Sequence, residues 1–252
     1  MIKKAFLLFS ALIFFTNLTF GQGNISDTTK TLPYISISYQ YFFAGGDLDK
    51  IYGPGNMVGG DFNVKLRSNF EIGIGGAYIF GNIIRQDSLL HGMQTGSGAI
   101  LDEDAVAADV FFQQRGWKTG ITFSKIFSVI GPNPNSGIKL GLGFGYSQHW
   151  IRIENQENTI PQLSDEYKSY YDRKVGGVYL EEFLGYQLFS NKGFVNFIAG
   201  FEFRQGFSSP LRTYNIDDMD FVSGNHLDLY YGIKVSWNII FHKRMSTSYY
   251  IN

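Results

Sequence analysis

The sequence predicts an all-β chain that forms an eight-stranded, antiparallel, up-and-down transmembrane β-barrel. Three observations support this prediction. Eight segments alternate apolar and polar residues with a period of two, short and long connections alternate between them, and the face opposite the apolar one is rich in glycine. The composition agrees, because 17% aromatic residues and 30 glycines accompany only 17% charged residues, against ~25% in typical soluble domains.

The N-terminus has the features of a secretory signal. Lys3 and Lys4 precede an apolar run at 5–15, which is too short to span a membrane with ease, and small residues precede Gln22. We expect residues 1–21 to be a cleaved signal peptide and residues 22–33 a polar periplasmic leader.

The chain has no cysteine, which excludes disulfides and thiolate metal sites, and its net charge of -1 argues against nucleic-acid binding.

The barrel is predicted to cover 34–241, with its first three strands at "YISISYQYFF", "GGDFNVKLR" and "FEIGIGGAYIF". The fourth segment, 108–129, could be one strand or two strands divided at Arg115-Gly116. One strand is favoured, because its apolar residues occupy every second position (one parity) throughout. A ninth strand would also break the alternation of short and long connections.

The remaining strands are predicted at "IKLGLGFGYSQHW", "GVYLEEFLGYQLF", "FVNFIAGFEFRQGF" and "YYGIKVSWNIIF". Within the sixth strand, Glu181 and Glu182 are adjacent, so a regular strand would turn one of them toward lipid. A bulge or a position beyond the membrane boundary would relieve this. Glu181 is expected to face inward, because Leu180 and Leu184 then complete the apolar face.

The glycine-rich face identifies the solvent on each side. In a soluble barrel of the lipocalin kind that face would meet water, where glycine weakens a strand without adding solubility. A narrow lumen does require small residues. The large apolar residues are therefore expected to face lipid. The short connections, at 68–69, 130–136 and 190–193, then lie on the periplasmic side, and the long ones, at 44–56, 82–106, 154–174 and 208–224, lie outside.

Charged residues on the polar face of each strand should then lie in the lumen. Five acids and five bases are expected there, and confinement favours ion pairs over an open pore, with Lys234 paired to Glu202. The predicted network comprises Asp61, Lys65, Glu71, Lys118, Lys139, Glu181, Glu202, Arg204, Asp228 and Lys234.

The last strand also resembles the C-terminal signal read by the barrel-assembly machinery, through Gly232, Val235, Trp237 and Phe241. With the strand count, loop asymmetry and signal peptide, the chain resembles small outer-membrane barrels of the OmpA/OmpX type. Its composition, rich in aromatic residues and asparagine, resembles that of barrels of gliding, type IX-secreting bacteria (Bacteroidota). The resemblance implies an outer-membrane location and contact with outer-membrane lipid, lipopolysaccharide, the assembly machinery and other envelope proteins. Residues 242–252 depart from the pattern and are expected to form a C-terminal tail.

Two function classes remain open from the sequence. The first is a non-enzymatic barrel that serves envelope integrity, adhesion or a larger secretion or motility assembly. The second is a lipid-modifying or lipid-binding enzyme similar to lipid A deacylases, whose candidate catalytic residues are Ser147, His149 and Glu154. Ser147 and His149 would stand about 7 Å apart along the strand, which is long for a direct hydrogen bond. His226 and Asp228 form a second, weaker pair.

Acidic loop segments are weak candidates for a divalent cation. Carboxylates are suitable Ca²⁺ or Mg²⁺ ligands, but neither segment has the glycine-punctuated spacing of a calcium loop. The favoured interpretation is ordinary loop charge with no cofactor. The residues concerned are Asp102, Glu103, Asp104, Asp217, Asp218 and Asp220.

Overall fold

The computed structural model describes residues 28–86, 89–155, 160–191, 195–216, 219–221 and 223–241. Eight long strands form the body of the molecule, and they are named here in chain order. They are β1 (Leu32–Gly46), β2 (Gly55–Lys65), β3 (Phe70–Gly81), β4 (Val110–Phe127), β5 (Gly137–Asn155), β6 (Val175–Phe189), β7 (Asn196–Pro210) and β8 (His226–Ile240).

Each strand pairs in antiparallel fashion with its neighbours in sequence, and β1 pairs with β8 to close the ring. The closing register runs from Tyr34 opposite Ile240 to Gly46 opposite Asp228. The predicted eight-stranded, up-and-down barrel is confirmed. β4 is one continuous strand, as the shared parity of its apolar residues indicated.

The two ends of the barrel differ in their connections. One end, called here the turn end, carries the short turns after β2, β4 and β6. The other, called the loop end, carries the long connections, whose described residues form only small elements. These are helices Leu48–Ile51 and Asp165–Lys168, 3-10 turns His91–Met93 and Pro161–Leu163, and the two-stranded pairs Ile100–Leu101 with Ala107–Ala108 and Tyr214–Asn215 with Asp220–Phe221.

The chain ends lie largely outside the described residues. The predicted signal peptide at 1–21, the leader up to residue 27 and the tail at 242–252 are all outside them. β1 begins at Leu32, so the last two residues of the expected leader belong to the barrel. Within the described part of the chain, no helix has both the length and the apolar character needed to cross a bilayer.

The barrel has the polarity of a membrane protein. Its outward residues are large, apolar and exposed, whereas small and polar residues are buried inside. Such a surface is suited to hydrocarbon, and a closed barrel satisfies every strand edge there. The barrel therefore spans a bilayer in the manner of outer-membrane barrels. The exposed residues include Ile37, Tyr39, Phe43, Ile72, Ile74, Phe123, Leu140, Leu142, Leu184, Phe201, Ile233 and Trp237.

Glycine inside the barrel leaves room for one aromatic ring. Gly120 and Gly145 face the lumen on β4 and β5, opposite each other. A Cβ on Gly120 would lie 2.3 Å from the hydroxyl of Tyr179, and one on Gly145 would lie 2.1 Å from the carbonyl oxygen of Thr119. Larger residues at either position would displace the backbone or the phenol ring, so these glycines permit the lumen to be filled by side chains.

The loop end contains a cluster of buried apolar residues, called here the cap. It joins the inward residues at the ends of several strands to residues from three of the long connections. Three of the long connections therefore contribute side chains to a buried apolar core. The cap comprises Phe42, Leu48, Tyr52, Met57, Ile79, Leu89, Leu90, Ile100, Ile151, Ile153, Ile160, Leu163, Tyr171 and Tyr230.

Candidate functional site: the charged lumen

Four charged residues meet in the middle of the lumen and form what is called here the central network. They are Lys118, Glu181, Glu202 and Lys234, which project inward from β4, β6, β7 and β8. Lys118 binds Glu181 and lies 2.9 Å from Glu202, and Lys234 lies 3.0 Å from the other oxygen of Glu202. The side chain of Glu202 is about 1% exposed. One carboxylate therefore bridges two ammonium groups out of bulk water.

A second network lies nearer the turn end. Lys139 forms an ion pair with Glu71, and the Tyr34 hydroxyl donates to the same carboxylate at 2.6 Å. Gln187 donates to it from the opposite wall at 3.2 Å. The carboxylate of Glu71 thus accepts from three strands, which satisfies its charge by hydrogen bonds as well as by its counter-ion.

Segment 28–31 and the turn after β4 meet at the turn end itself. The ammonium of Lys65, which is fully buried, donates to Asn135 at 2.9 Å and to the Lys30 carbonyl at 3.3 Å. The backbone N–H of Lys30 also donates to Asn135, and the Asn135 amide donates to the Thr28 carbonyl at 2.9 Å. These bonds hold the segment before β1 across the mouth of the barrel.

A third polar group lies beneath the cap. Asp228 on β8 lies 3.0 Å from Nε2 of His149 and accepts from the hydroxyl of Ser208. Nδ1 of His149 is 3.4 Å from the hydroxyl of Tyr52, which belongs to the cap. Arg204 lies nearby, fully buried, with its guanidinium 3.7 Å from the ring centroid of Tyr230.

The structure places all ten predicted lumen charges on the inward face, but it does not join them into one network. Asp61 is only partly buried and lines an internal cavity of about 50 Å³ together with Lys234. Asp228 lies with His149 rather than with Lys234, and Lys65 is satisfied by carbonyl and amide oxygens.

The three candidate catalytic residues do not converge. Ser147 and His149 are buried inside the barrel. Glu154 lies on the opposite parity of β5, where it pairs with Arg152 at 2.5 Å and is partly exposed. Residues separated by an odd number of positions on a regular strand face opposite ways, so Glu154 does not lie beside Ser147 and His149. The acid beside His149 is Asp228, and the serine that donates a hydrogen bond to Asp228 is Ser208.

The metal candidates gain no support from the described residues, which contain no group of three or more His, Asp or Glu side chains placed to hold an ion. Asp102 instead accepts the backbone N–H groups of Asp104 and Val106 within its own turn. Glu103 and Asp220 are exposed. Asp217 and Asp218 lie outside the described residues.

The residues of the predicted assembly signal lie where β8 closes the barrel. Val235 and Trp237 face outward and are about half exposed, whereas Gly232 faces inward against Gln40. Phe241 follows the end of the strand, and its N–H donates to the Pro33 carbonyl at 3.0 Å.

Two charged contacts anchor loops above the membrane. Asp47 accepts from Lys50 and from the backbone N–H of Leu227, both at 2.8 Å, and these bonds hold the pKa of Asp47 below its ordinary value. Arg212 donates to Asp172 at 3.1 and 2.6 Å, which raises the pKa of the guanidinium. Each contact ties a connection to a neighbouring part of the loop end.

Several contributing residues were not singled out from the sequence. Tyr34, Gln187 and Ser208 share the inward parity of their strands, so parity alone could have found them. Asn135 lies in a turn without periodicity, and no pattern in the sequence indicates that it would bind Lys65.

No protein-family model and no curated protein matches the sequence. Among solved structures, the chain is similar to Ail, the attachment invasion locus protein of Yersinia pestis, in complex with the heparin analogue sucrose octasulfate. The identity is 10% and the TM-score 0.38, over 83% of this chain and 99% of that one. It is also similar to Neisserial surface protein A, at 10% identity and a TM-score of 0.39, over 81% and 96%.

A third similar structure is the outer membrane protein OprG from Pseudomonas aeruginosa. The identity is again 10% and the TM-score 0.36, over 88% of this chain and 100% of that one. These similarities are low, and the architecture follows from the strand pairing and surface polarity of this chain itself. The protein is a membrane-spanning β-barrel.

Proposed function

We propose that this protein is a closed, non-enzymatic barrel that acts at the cell surface as a rigid support. Its role in the outer membrane is in envelope integrity, adhesion or a larger secretion or motility assembly, to which it presents the connections of the loop end. The observation that carries the proposal is the central network, in which Glu202 bridges Lys118 and Lys234 across the lumen.

Two further features support a closed lumen. Near the central network, the internal cavities have volumes of only about 50 and 20 Å³. Since about 10–15 Å³ of such volume is enough for one water, they have room for a few isolated waters rather than for a continuous water-filled path. At the two ends, the bonds of Lys65 to the segment before β1 and the buried cap cover the mouths. The connections that the cap holds in place also offer a suitable surface for a partner, because they need little ordering on binding.

The alternative is a lipid-modifying enzyme. Acyl transfer by a serine requires the hydroxyl within hydrogen-bond reach of the histidine. Here Ser208 is bonded to Asp228 instead, and the group lies buried beneath the cap. The arrangement therefore favours a structural role for His149 and Asp228. A lipid A mass spectrum that changes on deletion of the gene would support the enzyme instead.

Reconstitution into planar bilayers tests the proposed closed state. The wild-type barrel is expected to give no stable single channels. A triple variant, Lys118→Ser, Glu202→Ser and Lys234→Ser, removes the bridging side chains but keeps the cap and the turn-end bonds, so any channels it gives measure the part of the closure that the central network supplies. Stable single channels in the wild-type protein would refute the closed state.

A further inference from the structure

Glu182 is an ionisable residue on the lipid-facing surface. It is the central residue of the 15-residue strand β6, and the outward positions on both sides of it along the strand are apolar. Its neighbours across the sheet are Leu142 on β5 and Phe203 on β7, which also face outward. β6 pairs without interruption with β5 and β7 at this point, so no bulge turns the Glu182 carboxyl group away from the lipid-facing side.

The position of Glu182 along the strand places it deep in the membrane. A strand crosses the hydrocarbon with about 9–11 residues, and the outward residues of β6 are apolar from Val178 to Leu188 apart from this one. Glu182 lies near the middle of that stretch. The neighbouring Leu142 is 65% exposed, so nothing in the described chain shields this region from the membrane.

The described residues give the carboxylate of Glu182 no hydrogen bond and no ion pair. The nearest outward lysine, Lys125, lines the same outward groove toward the end of β4, but it donates to the Ser68 carbonyl at 2.6 Å and forms no ion pair with Glu182. Ionisable residues within the membrane are rare and mark functional contacts. Glu182 therefore requires a partner from outside the chain.

The depth of Glu182 limits what that partner can be. Lipid offers only hydrocarbon at the midplane, so it supplies neither a cation nor a hydrogen-bond donor there. A second copy of this chain would bring its own Glu182 to the same height, and its Lys125 lies near the turn end. Charge complementarity instead requires a different protein with a basic side chain.

We propose that the β5–β7 face is a lateral docking surface for another membrane-spanning protein, whose outward basic residue pairs with Glu182 near the bilayer midplane. The apolar part of the contact is supplied by Leu142, Leu184 and Phe201, which border an outward groove of about 900 Å³. This proposal is independent of whether the lumen conducts ions.

Photo-crosslinking in cells that express the full chain tests the proposal. A photoreactive residue replaces Leu184, which neighbours Glu182 on the same face, and a second variant carries it at Val58 on the opposite wall. A protein adduct is expected at 184 and not at 58. Glu182→Leu should reduce that adduct by about tenfold or more, since the ion pair is lost. Leu142→Met, which keeps the apolar surface, should leave it unchanged.

Two further measurements are needed. The first shows that loss of the adduct does not come from misfolding, and the second shows that the adduct does not come from nonspecific crosslinking. Glu182→Leu should fold into pure phospholipid vesicles at least as well as the wild type, because it removes a carboxyl group from lipid. Once the adduct is identified, Glu182→Lys combined with replacement of the partner's basic residue by glutamate should restore it. Lipid adducts alone, an adduct to a second copy, or an adduct insensitive to Glu182→Leu would each overturn the proposal.

Discussion

The interior of the barrel has two regions, one filled by charged and polar side chains and the other by apolar side chains. In the middle and toward the turn end, buried ammonium and carboxylate groups pair across the lumen, as Glu202 does with Lys118 and Lys234. At the loop end, the cap fills the interior with apolar side chains such as Leu48 and Tyr52. Both regions occupy the space inside one ring of strands.

The difference shows how each region responds to loss of a side chain. A buried charge that loses its counter-ion retains the full cost of desolvation, whereas its replacement together with its partner can be neutral. An apolar residue that is removed leaves a cavity, and its cost depends on how far the neighbours collapse. In the polar region, the loss of stability should therefore depend on whether a charge is left without its partner. In the cap, it should depend on the volume of the cavity that the removed side chain leaves.

The largest effect is expected from Glu202→Leu. This change leaves Lys118 with Glu181 alone and leaves Lys234 without the carboxylate it binds at 3.0 Å. The free energy of unfolding in phospholipid vesicles, measured by urea titration, should fall by about 3–5 kcal/mol.

Lys234→Met serves as the matched control for that change. Glu202 would keep its contact with Lys118, and the side chain of Lys234 is 17% exposed, so the loss should be about 1.5–3 kcal/mol, that of a charged hydrogen bond. Equal losses for the two variants would contradict the idea that Glu202 is the shared centre of the network.

An effect smaller than that of Glu202→Leu, and more local, is expected from Leu48→Ala in the cap. The residue is fully buried on the short helix after β1. The loss should be about 2–3 kcal/mol, the lower part of the range for a buried leucine, because a surface connection can collapse into the space. Amide hydrogen exchange should quicken in residues 47–52 and stay slow in β4 and β5. Equal acceleration throughout would mean that the cap and the barrel unfold as one unit.

The barrel and the face of each strand could be predicted from the sequence because both depend on a period of two. The proximity of Glu202 and Lys234 also follows, since they lie on adjacent strands with the same inward parity. The contact between His149 and Asp228 could not be predicted, because β5 and β8 are not neighbours and meet only across the lumen. The cap was missed because Leu48, Tyr52 and Leu163 are isolated apolar residues in segments without periodicity.

The smallest effect concerns the contact that fastens the first connection beside the cap. The bonds of Asp47 to Lys50 and to the N–H of Leu227 lower its pKa. A depressed carboxyl pKa stabilises the folded loop above the unfolded value of about 3.9, and this contribution is lost as pH falls through the folded pKa. The amide resonance of Leu227, followed by NMR in lipid nanodiscs, should titrate with a midpoint below that value. Lys50→Ala should move the midpoint upward, since it removes the larger cause. Asp47→Asn keeps an acceptor for the amide and should abolish the titration. A wild-type midpoint at or above the unfolded value would show that these bonds do not hold the loop in the membrane-bound protein.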